Sequence, residues 1–455
     1  MRSISVFGLG KVGLALAVCL AEAGHRVFGV DENARLVEDI NQGRLHSEEP
    51  GVVEGLKELL GKSLTVADNA EEAVLASDIS FLIVPTPSNQ LGGFSLRYIK
   101  RACESMGRAL QKKKDYHIIA VVSTMLPGSS ESIIIPFLEQ VSGRKIGETL
   151  GYGYNPAFIA LGEVIKGFRE PDYILIGESD QRSGDEILAI QQTIVRNDAL
   201  TVRVRPIEAE IAKVASNTHD SMRVSFANML LSICAETPGA NVDNITRGLA
   251  HRFGKRYFKG ALPYGGPCWP RDNIALGVFM QALGVSDLIP QAIDSFNQEY
   301  GRYVLNKILK ISSTQKQSFG LLGLAYKPGT GVIERSFALD LAGWLADGKR
   351  QVVVWDPLAI PCARPVLGDR VSYANSAEVC IQQAEVIVIL NPLKELEYID
   401  WSKAGTRTVI DCWRCLNSEQ ASQIENYWPL GHDVKIGNEC LPAKPDLERL
   451  RLLTD

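Results

Sequence analysis

Ile4-Ser5-Val6-Phe7-Gly8-Leu9-Gly10-Lys11-Val12-Gly13, continued by the apolar run Leu14–Ala23, is the stretch that decides the fold. Its first residues read as a short buried strand, its glycines as a tight turn, and the run after them as a helix stopped by Gly24. Arg26–Val30 reads as a second strand with Asp31 at its end. Strand, G-x-G-x-x-G, helix, strand and acid, in that order, form the dinucleotide-binding arrangement. The glycines serve a tight turn, close approach of a pyrophosphate and close helix–strand packing, and the helix N-terminus faces the phosphates. Asp31 stands 18 residues after Gly13. A carboxylate there accepts from both ribose hydroxyls and repels a 2′-phosphate, which predicts NAD rather than NADP. The same pattern would also stand in a Rossmann-like domain that has lost its cofactor.

Further along, strands and helices keep alternating. Ile79–Val84 reads as a strand ending in Pro85-Thr86-Pro87, and Ile118–Val122 as one ending in Ser123-Thr124-Met125-Leu126-Pro127-Gly128. Doubly wound sheets bind ligands at such strand ends, so Thr86 and Thr124 are either cofactor neighbours or plain turn residues. Between 151 and 177 a short loop, Tyr154-Asn155-Pro156-Ala157-Phe158-Ile159-Ala160-Leu161-Gly162-Glu163, has a strand behind it. Glu208–Glu236 is a long helical pattern without proline. Lys213 and Asn217 are four apart and share one face of it, with Glu210 nearby. Such a helix can link two domains and form a dimer face.

Next comes Tyr264-Gly265-Gly266-Pro267-Cys268-Trp269-Pro270-Arg271-Asp272, which gathers two glycines, a thiol, a cation and a carboxylate. Arg252, Lys255 and Arg256 before it could meet phosphate; Ala275–Leu283 and Gln291–Ile311 after it read as helices. At Ser318 the β-α-β pattern restarts with Phe319–Leu322, then Ala338–Ala346, Val352–Trp355, Val386–Leu390 and Thr408–Asp411. Its first turn, Gly323-Leu324-Ala325-Tyr326-Lys327-Pro328-Gly329-Thr330, lacks G-x-G-x-x-G. A second NAD site is therefore not expected, and a different nucleotide at the same kind of switch point is. The tail after Glu439 reads as peripheral.

Composition bounds these readings. A chain of 455 residues suits two or three domains, and 45% hydrophobic with 22% charged residues suits a soluble globular class. A net charge of -5 offers no basic surface for nucleic acid. No apolar run has the length of a membrane span, and the N-terminus lacks a secretory pattern, so a cytoplasmic location with reduced thiols is expected. The nine cysteines are scattered. Cys412 and Cys415 form one CxxC without a second pair, and the six histidines form no H-x-x-x-H, so no metal site is expected.

Taken together, GLGKVG with Asp31, VPTP at 84–87, STMLPG at 123–128, NPAF at 155–158, AEIAK with Asn217, YGGPCWPRD at 264–272 and GLAYKPGT at 323–330 resemble the UDP-glucose/GDP-mannose dehydrogenase family over nearly the whole chain. The resemblance implies an α/β protein with two Rossmann-like doubly wound domains joined by a long central helix. Its domains would be an NAD-binding part at 1–205, a central helical dimerisation part carrying the catalytic cysteine at 206–312, and a nucleotide-sugar-binding part at 313–455. It implies an NAD-dependent oxidation of a nucleotide sugar at C6, alcohol to aldehyde to acid, of the kind that feeds polysaccharide biosynthesis, in a homodimer. Cys268 would be the nucleophile, Lys213 and Asn217 would stabilise the oxyanion and hold water, Asp272 would help move protons, and Thr124 joins this catalytic set. The residues assigned to NAD are Gly8, Gly10, Val12, Gly13, Asp31, Arg35, Thr86, Thr124, Arg271 and Arg335. Those assigned to substrate are Lys213, Asn217, Arg252, Tyr257, Tyr264, Gly265 and Lys327, with Arg252 reaching into a neighbouring subunit.

Four departures stand beside the matches. The family loop carries two glutamates and an arginine where this chain has Ala157, Leu161 and Ala160; one of those glutamates is the family's candidate base for releasing the thioester. A local shift could bring in Glu163. Arg271 stands where lysine is usual and cannot shuttle a proton. Thr218-His219-Asp220-Ser221 replaces bulky apolar residues and reads either as a new acid–base pair or as a solvated turn. Glu334-Arg335-Ser336-Phe337 replaces R-E-S-P, so the arginine that touches NAD in the family is either displaced by one residue or absent. Three readings follow: oxidation to the acid; a divergent enzyme that stops at the aldehyde or oxidises transiently and epimerises; or a non-catalytic NAD-binding homologue.

Overall fold

A computed structural model describes residues 1–67, 69–312 and 318–432; the tail expected to be peripheral lies outside them. The chain packs as two compact units, Met1–Ser216 with Ile274–Asp287, and Asn217–Asn273 with the chain from Leu288 onward.

In the first unit, strands β1 (Ser3–Phe7), β2 (Arg26–Val30), β3 (Leu64–Ala67), β4 (Ile79–Leu82), β5 (His117–Val121), β6 (Leu150–Tyr154), β7 (Tyr173–Glu178) and β8 (Leu200–Val204) form one sheet. Their order is β3-β2-β1-β4-β5-β6-β7-β8. All neighbours are parallel except β6 and β7, which run antiparallel. The chain winds outward from β1 through β2 to β3 and then returns to place β4 on the other side of β1. That reversal opens a crevice at the C-terminal ends of β1 and β4. Side chains alternate across β1: Ile4 and Val6 pack with Leu14, Leu16 and Leu20, while Phe7 packs with Leu82, Ile119 and Val121 in the opposite layer. The inner strands are buried on both faces, which is why they are rich in apolar residues.

The second unit repeats this plan with β9 (Ser318–Leu322), β10 (Gln351–Trp355), β11 (Ser372–Tyr373), β12 (Val386–Ile389), β13 (Thr408–Asp411) and β14 (Asn426–Pro429). Their order is β11-β10-β9-β12-β13-β14, all parallel. The two first turns differ in their acids. Asp31, half-buried, accepts Leu9 N–H at 2.7 Å and Asn33 N–H at 2.8 Å. Asp356, its counterpart after β10, is buried and accepts four backbone N–H groups, from Leu324, Ala325, Leu358 and Ala359. An ionised carboxylate has about four acceptor positions, so Asp356 has none left for a ribose while Asp31 has two. The absence of a glycine fingerprint in the second turn thus has a structural counterpart.

The central helix spans Pro206–Ala235, 30 residues, and belongs to the first unit up to Ser216 and to the second beyond it. Pro206 opens it at a position where a missing N–H costs nothing. The helix Trp269–Ala282 begins six residues before the predicted Ala275. Pro267 and Pro270 hide its start in the sequence, yet Pro270 lies in the first turn, where proline is tolerated. Among the described residues no helix is long and apolar enough to cross a membrane.

Candidate active site

The glycine turn separates internal demands from external ones. Gly8 has φ +92°, and a Cβ there would sit 2.0 Å from the Ile83 carbonyl oxygen. A Cβ on Gly13 would sit 1.8 Å from the Gly8 carbonyl oxygen. A Cβ on Gly10 would meet no protein atom within 4 Å. Two of the glycines are therefore required by the fold, and the third leaves open space at the start of helix Lys11–Glu22, where backbone N–H groups are unpaired. This cradle and the spare acceptor positions of Asp31 fit a dinucleotide. Gly10→Ala should keep the thermal midpoint within about 2 °C and weaken NADH binding at least about tenfold. Gly13→Ala should cost several kcal/mol, on the order of 3 or more. Thermal melts and NADH fluorescence titration read both effects.

Thr86 and Thr124 come together, Thr86 Oγ1 donating to the Thr124 carbonyl at 2.8 Å. Ser123 Oγ bridges Val84 N–H and C=O, tying the ends of β4 and β5 to one another. Val12 packs its side chain on the core, and Arg35 is exposed on helix Ala34–Asn41. Glu210 is fully buried and accepts from Gly128 N–H at 2.6 Å, Ser130 N–H at 2.8 Å and Ser130 Oγ at 2.6 Å. Burial pushes its carboxyl up while these bonds favour the anion. It fastens the turn after Thr124 to the helix that carries Lys213.

The loop after β6 shows where the lost acids went. Ala157, Ile159 and Leu161 pack against the apolar core of the first unit. Lys213, 8% exposed, donates to the Ala157 carbonyl at 2.8 Å and lies 4.6 Å from the centre of the Phe158 ring. The ammonium thus meets a carbonyl and an aromatic face. Glu163 is exposed and faces Lys166 at 3.4 Å on its own short helix. The carboxylate that does reach the loop is buried Glu49, which accepts Gly162 N–H at 2.7 Å and Val164 N–H at 3.2 Å. It holds the backbone of the loop.

In the second unit, Cys268 is exposed and its carbonyl accepts Asp272 N–H at 2.8 Å, making it the N-cap residue of helix Trp269–Ala282. The first turn of a helix favours negative charge at that end. Asp272 is fully buried between Asn217 Nδ2 at 2.6 Å and Arg271 Nε at 2.8 Å. The arginine that replaces lysine here compensates a buried carboxylate with a fixed charge. Gly265 and Gly266 let this loop dock: a Cβ on Gly265 would meet the Arg335 carbonyl oxygen at 2.2 Å, and one on Gly266 the Tyr326 ring at 2.6 Å. Gly266 N–H also donates to the Glu334 carbonyl at 2.9 Å. Arg335 takes φ +48°, a left-handed backbone that few non-glycine residues adopt. Lys327, next to Tyr326, is half-buried. Tyr257, φ +56°, lies edge-on to Trp269 with ring centroids 4.9 Å apart. Arg252 is exposed at the end of helix Val242–Phe253, over the Phe253 ring.

The tetrad 218–221 splits. Thr218 and Ser221 are buried, Ser221 Oγ meeting Asn273 Nδ2 at 3.0 Å, whereas His219 is exposed and only 3.9 Å separates it from Asp220. Asp294 and Asn297, on helix Leu288–Ile311, also hold this loop, and sequence reasoning missed them. No motif marks them, because their partners lie about thirty residues away. Among the described residues no group of three His, Cys, Asp or Glu is placed to hold a metal ion.

Residues 2–195 match the NAD binding domain of the UDP-glucose/GDP-mannose dehydrogenase family, 207–299 its central domain and 320–418 its UDP binding domain. The chain is 30% identical over 429 residues to a UDP-glucose 6-dehydrogenase of Haloferax volcanii, covering 93% of this chain and 99% of that protein. It is 34% identical over 359 residues to a GDP-mannose 6-dehydrogenase of Pseudomonas putida, covering 78% and 80%. The solved structure of a UDP-glucose dehydrogenase from Pyrobaculum islandicum superposes with a TM-score of 0.85 at 32% identity, covering 95% of this chain and 98% of that one. With all three domains matched in chain order, on two doubly wound sheets joined by a long helix, this chain belongs to the UDP-glucose/GDP-mannose dehydrogenase family.

Proposed function

We propose that the chain is an NAD-dependent nucleotide-sugar dehydrogenase, oxidising C6 of a UDP-hexose or a GDP-mannose-type substrate to the uronic acid through Cys268. The observation that carries this reading is the exposed Cys268 capping a helix whose first turn holds the buried Asp272, which accepts from its neighbour Arg271 and from Asn217 of the central helix. NAD, when bound, accepts one hydride in each of two successive oxidations. The Cys268 sulfur adds to the C6 aldehyde to give a thiohemiacetal, whose oxidation leaves a thioester. Water then attacks the thioester carbonyl, the C–S bond breaks, and acid and thiol are released. Lys213 and Asn217, one turn apart on the central helix, would meet the oxyanion that develops at each addition. Asp272, held by Asn217, would take the proton from water.

The apolar packing of Ala157 and Leu161 favours slow release of the thioester. The expected signature is a burst: two NADH per active site, formed quickly, then a slower steady state in which acid appears. Rapid mixing of UDP- and GDP-sugars with NAD⁺, with product mass, tests this. One NADH or none per turnover, with a changed sugar, would support an enzyme that stops at the aldehyde or epimerises. NAD binding without turnover on any of these sugars would leave a binding homologue.

The division at 1–205, 206–312 and 313–455 and a homodimer through the central helix belong to the same proposal. Met222, Phe226 and Ile233 are 40%, 43% and 53% exposed at spacings that share one face of that helix, which supports a covered surface.

A further inference from the structure

We propose that Asp294 is a positioning residue for the Cys268 chemistry, its carboxylate clamping together the two ends of the loop that presents the sulfur. This rests on Cys268 being the nucleophile.

The clamp is built from both sides of the cysteine. Tyr264, four residues before Cys268, donates its hydroxyl to Asp294 Oδ1. Asn273, five residues after it, donates Nδ2 to the same oxygen at 2.9 Å. The amide of Asn273 also lies 3.2 Å from the Tyr264 hydroxyl and 3.0 Å from Ser221 Oγ. One carboxylate oxygen therefore closes the loop as a ring, and Ser221 ties the ring to the central helix one turn beyond Asn217. Asn297, three residues after Asp294 and so on the same helix face, fixes the Tyr264 backbone twice: Tyr264 N–H donates to Asn297 Oδ1 at 2.9 Å, and Asn297 Nδ2 donates to the Tyr264 carbonyl at 2.9 Å.

The clamp bears on the reacting groups at two points. The Tyr264 ring packs edge-on against Trp269, the residue after Cys268, with centroids 6.0 Å apart. Asn273 directly follows Asp272, so a shift of one carries the other away from Asn217. A carboxylate is a costly choice for mere packing, since its burial is opposed by desolvation. Burial raises the Asp294 carboxyl, and the Asn273 and Tyr264 bonds and the Arg335 charge oppose that rise. The Tyr264 hydroxyl is driven up by burial and by Asp294, so it stays a donor. Donors and acceptor match, and the loop they close holds the thiol.

The test uses full-length Asp294→Ala, Asp294→Asn and Tyr264→Phe, with two readouts. Misplacing a reacting group by about 1 Å costs on the order of 10² in rate. Asp294→Ala should therefore lower kcat about 10²-fold while the KM values for NAD and nucleotide sugar stay within about twofold. Asp294→Asn, which keeps an acceptor oxygen, should return kcat to within about fivefold of wild type. The second readout needs no substrate: the rate at which iodoacetamide alkylates Cys268, followed on its peptide by mass. It should fall at least about fivefold in Asp294→Ala, as the thiol leaves its place at the helix N-terminus, and recover in Asp294→Asn. Should Asp294→Ala not fold, Tyr264→Phe removes one arm alone and should slow both readouts severalfold. Wild-type alkylation rates in a folded Asp294→Ala or Tyr264→Phe, or a kcat loss that Asp294→Asn does not rescue, would overturn the clamp. If wild type turns over no nucleotide sugar, the proposed reaction fails and the alkylation rates still decide the clamp.

Discussion

Cys268→Ala should abolish acid formation, by a factor on the order of 10⁴ or more, while leaving the protein folded and able to bind NAD. The size follows from removing the only group proposed to hold the carbonyl carbon covalently; loss of a covalent nucleophile removes most of an enzyme's acceleration. Stability should hardly change, because Cys268 is exposed and surface substitutions rarely exceed about 0.5 kcal/mol. NAD affinity should stay within about twofold, since the glycine turn and Asp31 belong to the first unit and Cys268 to the second. The first hydride transfer does not need the sulfur, so aldehyde-level product and at most one NADH per sugar should remain. Mass analysis of product with NADH counting checks this. Acid formed within tenfold of the wild-type rate would mean that water adds to the aldehyde directly, and Cys268 would lose its role.

Much of this architecture is legible in the sequence, for reasons that differ by element. β1 and its turn announce themselves because local chemistry fixes them: an apolar strand buried on both faces, then glycines demanded by carbonyls 1.8–2.0 Å from their missing Cβ atoms. The second sheet is legible by the same alternation, and its missing fingerprint is matched by an Asp356 saturated with backbone bonds. What stays hidden is side-chain pairing across long separations. Glu49 and Gly162 lie 113 residues apart, Glu210 and Gly128 82 apart, and nothing local distinguishes these acids from solvated ones. Asp294 is hidden in the same way. The tetrad 218–221 shows a related limit: four polar residues in a row look alike, and only the helix's rotation decides that Thr218 and Ser221 are buried while His219 is exposed. The start of helix Trp269–Ala282 was obscured because proline reads as a breaker unless it is known to occupy the first turn.

The loop 155–163 is where sequence and structure together lead to the second large effect: Ala157→Glu with Leu161→Glu should speed steady-state acid formation about 10²-fold and merge the two-NADH burst into turnover. A positioned base contributes roughly 10²–10⁴. Placement favours position 157, whose carbonyl already receives the Lys213 ammonium at 2.8 Å, so a carboxylate there would have a cation within reach. The change has a cost at 161. Leu161 leans on the core, and its replacement by a charged side chain should lower stability by about 1 kcal/mol and the thermal midpoint by a few degrees. Ala157→Glu alone separates the terms, since it removes little apolar surface: it should lower the midpoint less than the double variant and show part of the rate gain. Glu49 makes the experiment feasible, because its bonds to Gly162 and Val164 fix the loop's backbone whatever side chains it carries. A folded double variant with unchanged steady-state rate would show that Asp272 and Lys213 already release the thioester at full speed. The apolar loop would then be a change of packing without kinetic consequence. A gain in rate would place the slow step of this enzyme after the second oxidation, at the bond between substrate and Cys268.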